Sequence, residues 1–152
     1  MDNRFETFTL LVNRISRSIR RIKIQEMAEY GLRGAHISCL YHLYLAGPLT
    51  ATDLCERCEE DKATISRALP FLEENGYLTC PSRSAKRYRS PLLLTDKGRA
   101  MGQQIAEKIA RVLEAVGAGL TEAERVAFYN SLTVISNGLE TLVQTNESRR
   151  SE

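Results

Sequence analysis

Apolar residues return every three or four positions along the first part of the chain. Phe8, Leu11, Val12, Ile15, Ile19 and Ile22 form one row, and Arg14, Arg17, Arg20, Arg21 and Lys23 stand between them. That period predicts an amphipathic helix from about Phe5 to Glu29, broken by Gly31 and Gly34. A second helix is predicted from Ala35 to Ala46, burying Ile37, Cys39, Leu40 and Leu43, with Gly47-Pro48 as its stop. Thr50 and Asp53 have the spacing of a capping box at the start of a third helix. Asp61 caps a fourth, which runs through Ile65, Leu69 and Leu72 to Asn75-Gly76. Pro70 lies inside this fourth helix. It has no N–H to offer the Ser66 carbonyl, so a kink or an end is expected there unless packing compensates.

Tyr77-Leu78-Thr79-Cys80 and Leu92-Leu93-Leu94-Thr95 are short and apolar enough to be strands. The polar, basic stretch from Pro81 to Pro91 makes the pair a hairpin with a long tip. Two long helices are predicted to follow. The first starts near Asp96, carries Met101, Ile105, Ile109, Val112 and Val116, and is ended by Gly117 and Gly119. Thr121-Glu122-Ala123-Glu124 is a full capping box for the last helix, whose stripe is Val126, Tyr129, Leu132, Ile135, Leu139 and Leu142. The polar tail from Gln144 to Glu152 is expected to fray. The sequence holds no internal repeat and no low-complexity linker.

Composition narrows the function classes. The chain has 152 residues with 21 Lys and Arg against 19 Asp and Glu, a net charge of +2. That excludes a uniformly basic nucleic-acid coat but leaves room for a local basic patch. Hydrophobic residues at 43% and charged residues at 26% are those of an ordinary globular domain. No stretch approaches the roughly 18 uninterrupted apolar residues of a membrane helix. Met1-Asp2-Asn3-Arg4-Phe5 lacks the basic-then-apolar layout of a secretory signal, so a cytoplasmic protein with four reduced cysteines is expected.

Helix-turn-helix followed by a basic-tipped hairpin is the outline of a winged helix. An α-helix fits the DNA major groove, and a cationic loop can reach the neighbouring backbone. In the fourth helix Ile65 points inward with Leu69, which leaves Lys62, Ala63, Thr64, Ser66 and Arg67 outward at its N-terminal end. The hairpin tip adds Arg83, Lys86, Arg87 and Arg89, with no acid between Cys80 and Thr95. A charged helix face is most often merely solvated, and an acid-free loop can serve solubility alone. The two features joined in this order are harder to explain that way.

The ordered set of motifs resembles the multiple antibiotic resistance regulator (MarR) family, over about residues 5 to 145. The resemblance is carried by Gly47-Pro48-Leu49-Thr50 leading into Asp53-Leu54-Cys55-Glu56-Arg57, then by Lys62-Ala63-Thr64-Ile65-Ser66-Arg67. It continues through Leu72-Glu73-Glu74-Asn75-Gly76-Tyr77-Leu78 and Leu94-Thr95-Asp96-Lys97-Gly98. It implies a mainly α fold: a winged helix-turn-helix with a two-stranded β wing, plus N- and C-terminal dimerisation helices. It also implies a homodimer that binds a double-stranded DNA operator, with a small-molecule effector as a further possible partner and no membrane. On that layout residues 31–95 are the DNA-binding domain, residues 1–30 and 96–146 the dimerisation region, and 147–152 a frayed tail. Phe8, Leu11, Ile15, Ile19, Val126, Leu132, Ile135, Leu139 and Leu142 are the expected dimer contacts. Their stripes are more apolar surface than a small winged helix can cover.

Other residue groups offer rival chemistry. Cys55 and Cys58 share one face of the third helix, so a thiol or metal sensor is conceivable. Zinc needs about four ligands, however, and no second Cys pair completes a set. Close packing on the buried side of the helix is the competing reading for both, and Cys39 reads as core. Cys80 is expected to be the exposed thiol. Tyr30, His36 and Tyr44 are candidates to line an effector cleft, against the plainer reading of half-buried packing. No nucleophile elbow, phosphate-cradling loop or HExxH motif is present, so neither an enzyme nor a resident cofactor is expected. A winged-helix module that binds a protein partner remains the alternative from another class.

Overall fold

Five apolar side chains from three successive helices form the centre of the fold. Ile37, Leu40, Leu54, Ile65 and Leu72 are each at most 1% exposed and belong to one cluster. The computed structural model describes residues 3–58, 60–80 and 89–150, in two compact units, residues 1–110 and 111–152. The order is α1 (Arg4–Glu26), a 3-10 turn (Ala28–Tyr30), α2 (Gly34–Ala46), α3 (Ala51–Cys58), α4 (Lys62–Glu74), β1 (Leu78–Thr79), β2 (Leu93–Leu94), α5 (Asp96–Gly117) and α6 (Glu122–Arg150).

Local chemistry sets the starts of α3 and α4. The Asp53 carboxylate accepts from the Thr50 backbone N–H at 2.8 Å, and the Asp53 N–H donates to the Thr50 hydroxyl at 3.1 Å. The expected capping box therefore forms although its acid is Asp, not Glu. Asp61 caps α4 by accepting from the Thr64 N–H at 2.7 Å. At the other end of α4 the Tyr77 N–H reaches the Leu72 carbonyl at 2.8 Å and the Gly76 N–H reaches Glu73 at 3.0 Å. These two bonds make a Schellman motif. It requires the left-handed φ of +73° that Gly76 supplies.

Three expectations are corrected, and the effect of Pro70 is settled. The first helix stops at Glu26 instead of Glu29, and the chain turns through buried Met27 into the 3-10 segment. Gly34 opens α2 and does not merely break the first helix. Helix α4 runs through Pro70 to Glu74. Pro70 is exposed while Leu69 and Leu72 beside it are buried, so packing outweighs the roughly 3 kcal/mol a proline costs inside a helix. The strands are two residues each, not four, because Tyr77 closes the Schellman motif and Leu92 pairs instead with Leu49 in an isolated bridge. The strands are antiparallel, with Leu78 opposite Leu94 and Thr79 opposite Leu93.

Helix α5 approaches this domain through two glycines one turn apart. A Cβ on Gly98 would stand 1.8 Å from the Tyr77 carbonyl oxygen, and one on Gly102 would stand 2.6 Å from the Tyr44 Cβ. Below Gly102, Ile105 is buried. Farther along, the Lys108 ammonium donates to the Glu26 carbonyl at 2.6 Å and pairs with the Glu29 carboxylate at 2.8 Å. A cation thus meets the C-terminal carbonyls of α1, where the helix dipole favours it.

In the second unit the Thr121-Glu124 capping box forms as expected, with the Thr121 N–H donating to Glu124 at 2.8 Å. Helix α6 then continues to Arg150, past the expected fraying point at Gln144. Thr145 and Ser148 donate to the carbonyls of Thr141 and Gln144, and Arg149 and Arg150 suit the C-terminal dipole. Among the described residues no helix is long and apolar enough to cross a membrane.

Gly98→Ala tests the close approach. Helix propensity alone favours alanine by about 1 kcal/mol, yet overpacking against a backbone carbonyl should destabilise by about 1–3 kcal/mol. Urea unfolding of the two proteins measures the sign, and a neutral or stabilised variant would contradict the packing described.

Candidate nucleic-acid interface

Helix α4 presents its N-terminal half to solvent because its apolar residues fall on the other side. Ile65, Ala68, Leu69 and Leu72 are buried, whereas Lys62, Ala63 and Arg67 are exposed and Thr64 and Ser66 half-buried. All five outward residues named from the sequence therefore lie on one accessible face. Arg67 donates to the Thr64 hydroxyl at 3.3 Å, and that hydroxyl donates to Asp61 at 3.1 Å. The chain of bonds steadies the Arg67 stem while using one of the five guanidinium N–H groups. The Thr64 N–H and hydroxyl hold the Asp61 carboxyl below the usual carboxylate range, and Asp53 is held down in the same way by Thr50. A hollow of about 230 Å³ separates α3 from α4, lined by Ala51, Thr52, Cys55, Lys62, Ile65 and Ser66.

Beyond β1 the predicted cations divide. Arg89 is exposed just before β2. Arg83, Lys86 and Arg87 lie outside the described residues. The paired strands bring Leu78 and Leu94 together, and the Leu92–Leu49 bridge adjoins them. A helix held by an apolar floor with its polar N-terminal half exposed is an arrangement that can engage duplex DNA.

Known proteins carry the same architecture. The sequence profile of the MarR family matches residues 30–87. An uncharacterised HTH-type transcriptional regulator of Bacillus subtilis, YwoH, is 25% identical over 117 residues, which is 77% of this chain and 85% of that one. BpsR of Bordetella bronchiseptica is similar with a TM-score of 0.72 and 25% identity, over 86% of this chain and 98% of its own. MarR of Staphylococcus aureus shares the fold with a TM-score of 0.81 at 18% identity, over 92% of this chain and 95% of its own. Residues 30–87 thus carry the sequence pattern of the MarR family, and the fold is that of MarR-family structures. These likenesses support a transcriptional regulator with a DNA-binding winged helix.

The three cleft candidates have separate neighbours. His36 is buried, its ring stacked on Phe71 with centroids 4.2 Å apart, and its Nδ1 accepts from the Arg33 N–H at 3.1 Å. It thus serves the start of α2. Tyr44 packs on Gly102, and the Tyr30 ring lies 5.4 Å from the Lys108 ammonium. The cysteines also differ from expectation. Cys55, Cys58 and Cys80 are all half-buried, so Cys80 is not set apart, while Cys39 is core as expected. Cys55 and Cys58 both pack against the core cluster that contains Cys39, in line with the packing reading. Among the described residues no group of three or more His, Cys, Asp or Glu could hold a metal ion.

His36 is held below its ordinary value of 6.5, first by burial and then by the Arg33 charge. The neutral ring is the form that accepts from Arg33, so the unfolded chain takes up a proton first as pH falls. Stability should therefore decline on acidification below about pH 6.5, until the folded-state value is passed. His36→Gln keeps an acceptor at that position and cannot titrate. It should flatten the fall in urea midpoint between about pH 7.5 and about pH 5.5. His42, lowered by burial and then by Lys23 and Arg57, contributes in the same direction and stays in the variant. An unchanged slope in His36→Gln would show that His36 is not the group responsible.

Proposed function

We propose that the chain is a homodimeric, effector-responsive repressor that binds a near-palindromic operator. The exposed N-terminal half of α4 carries the reading. Thr64, Ser66 and Arg67 are of the size and chemistry that meet base edges, and Arg paired to guanine is a common specific contact. Two symmetry-related copies of α4 would enter successive major grooves roughly 34 Å apart. Lys62 and the basic residues Arg83, Lys86, Arg87 and Arg89 suit phosphate or a narrow minor groove.

The exposed apolar stripes of α1 and α6 support the dimer. Leu11, Ile15 and Ile19 on α1 are 43–51% exposed, and Val126, Leu132, Ile135, Leu139 and Leu142 on α6 are 37–61% exposed. Such stripes in a soluble protein mark an interaction surface. Effector control is favoured by relatives, because BpsR is described as regulated in DNA binding by 6-hydroxynicotinic acid and the Staphylococcus protein was solved with salicylate and kanamycin. The cytoplasm is the compartment in which such a regulator meets its operator. Nothing in the geometry assembles a catalytic constellation among the described residues, and we assign no enzymatic activity.

Two measurements test this reading. An operator selected from random duplexes, titrated at several salt concentrations, separates the roles of the cations. Arg67→Ala should cost about 1–3 kcal/mol on the operator and much less on scrambled duplex. Arg87→Ala should weaken both alike and flatten the log–log salt slope by about one unit. Equal losses for Arg67→Ala on both duplexes would reverse the assignment, and failure to select any duplex would favour a protein partner.

Assembly is checked by light scattering. A dimer mass at micromolar concentration is expected, with more than ~2,000 Å² buried in total. A monomer mass would sink the homodimer.

A further inference from the structure

The hydrogen bonds at the start of α4 run in a fixed direction. Asp61 accepts from the Thr64 backbone N–H through one carboxylate oxygen at 2.7 Å, and from the Thr64 hydroxyl through the other at 3.1 Å. An ionised carboxylate is an acceptor only, and a hydroxyl has a single proton. The two bonds from Thr64 hold Asp61 in its ionised form, so Asp61 takes that proton. What is left on the Thr64 oxygen is a lone pair, which receives the Arg67 Nη2 at 3.3 Å. Thr64 stands three residues before Arg67 on the same face of the helix. Its branched side chain is stiff at χ1, and the bond to Asp61 fixes it further. Arg67 is exposed and long, with much rotamer freedom to lose. The Thr64 hydroxyl, in contrast, has no proton left for an acceptor on a base edge.

We propose that Thr64 is the positioning residue for Arg67: its hydroxyl, fixed by Asp61, pre-sets the guanidinium for reading a base. The consequence for DNA rests on the DNA-binding reading, whereas the pre-setting is a property of the free protein. Ordering a long side chain on binding weakens affinity, and a guanidinium already steadied has less freedom to lose. Four of its five N–H groups remain for the bidentate fork that guanine accepts. Discrimination gains more than general attraction does. A phosphate carries no sequence information, whereas a guanine edge demands one geometry.

The first test needs no DNA. In the free full-length protein, NMR relaxation of the Arg67 Nε–H should report restricted motion. Thr64→Val keeps the branched shape and the backbone cap but not the hydroxyl, and should loosen Arg67. The second test titrates a duplex recovered from a random pool against a scrambled duplex of equal length. Thr64→Val should weaken the recovered duplex about three- to tenfold and the scrambled one much less. Thr64→Ser keeps the hydroxyl and should restore most of the loss. In an Arg67→Ala background Thr64→Val should cause no further loss, because the residue it positions is gone. A loss of equal size with and without Arg67 would make Thr64 a direct base contact and overturn the proposal. So would Thr64→Ser as weak as Thr64→Val, or an Arg67 equally mobile with and without the hydroxyl. Recovery of no duplex would defeat the DNA-binding reading instead, and the relaxation measurement would still decide the positioning.

Discussion

Helix α4 is only as well placed as the junction where α4, β1 and α5 meet, and that junction depends on an atom that Gly98 lacks. The Tyr77 carbonyl occupies the space a Cβ would fill. One hydroxyl then joins the parts: Thr95 donates to the Gly76 carbonyl at 2.6 Å and accepts from the Gly98 N–H at 3.0 Å. It closes the α4 terminus and caps α5 in one stroke. Lys97 adds a bond to the Asn75 carbonyl at 2.7 Å and lies 4.5 Å from the centre of the Tyr77 ring. These are bonds to backbone atoms of the turn, so the end of α4 and the start of α5 move together. The link runs through the short Thr95 hydroxyl and the Lys97 ammonium.

Charge is used sparingly and at helix starts. Asp53, Asp61 and Glu124 each accept a backbone N–H at a helix N-terminus, and each is held below its ordinary value by that bond first. For α4 this has a consequence at the surface. An uncapped N-terminus is a ready site for a phosphate, but Asp61 already occupies the Thr64 N–H. Backbone anion binding is blocked there. What remains at that end of α4 is side chains, and on the proposed DNA-binding reading Arg67, Ser66 and Thr64 discriminate while Lys62 meets phosphate.

Much of this was legible in the sequence, for a physical reason. Capping boxes, the stop at Asn75-Gly76 and the buried rows of α2 and α4 are written within a few residues, where spacing is geometry. The effect of Pro70 was not legible because the rule is local while the compensation, burial of Leu69 and Leu72, is tertiary. Gly98 and Gly102 gave no sign beyond two glycines in a helical pattern, since the atoms they admit come from Tyr77 and Tyr44. Cys55 and Cys58 made a visible motif, and both pack against the core cluster that contains Cys39. The outward face of α4 was assigned correctly as a face, because periodicity alone separates it from Ile65 and Leu69.

Helix α6 poses the remaining physical question, which is what keeps it ordered. All of its residues are exposed, from Glu122 to Arg150. Its local supports are a capping box, a pair between Arg125 and Glu122 at 3.6 Å, and hydroxyls of Ser131, Thr133, Thr141, Thr145 and Ser148 bonded to carbonyls one turn back. Exposed pairs contribute little, and hydroxyl back-bonds weaken a helix slightly. Most helical stability in proteins comes from packing an apolar face. The face is present, as Val126, Leu132, Ile135, Leu139 and Leu142, and a single chain leaves it open. A second copy is the occupant the homodimer reading supplies. On that reading the order of α6 and the association of two chains are one equilibrium, so the stability of the regulator depends on its own concentration.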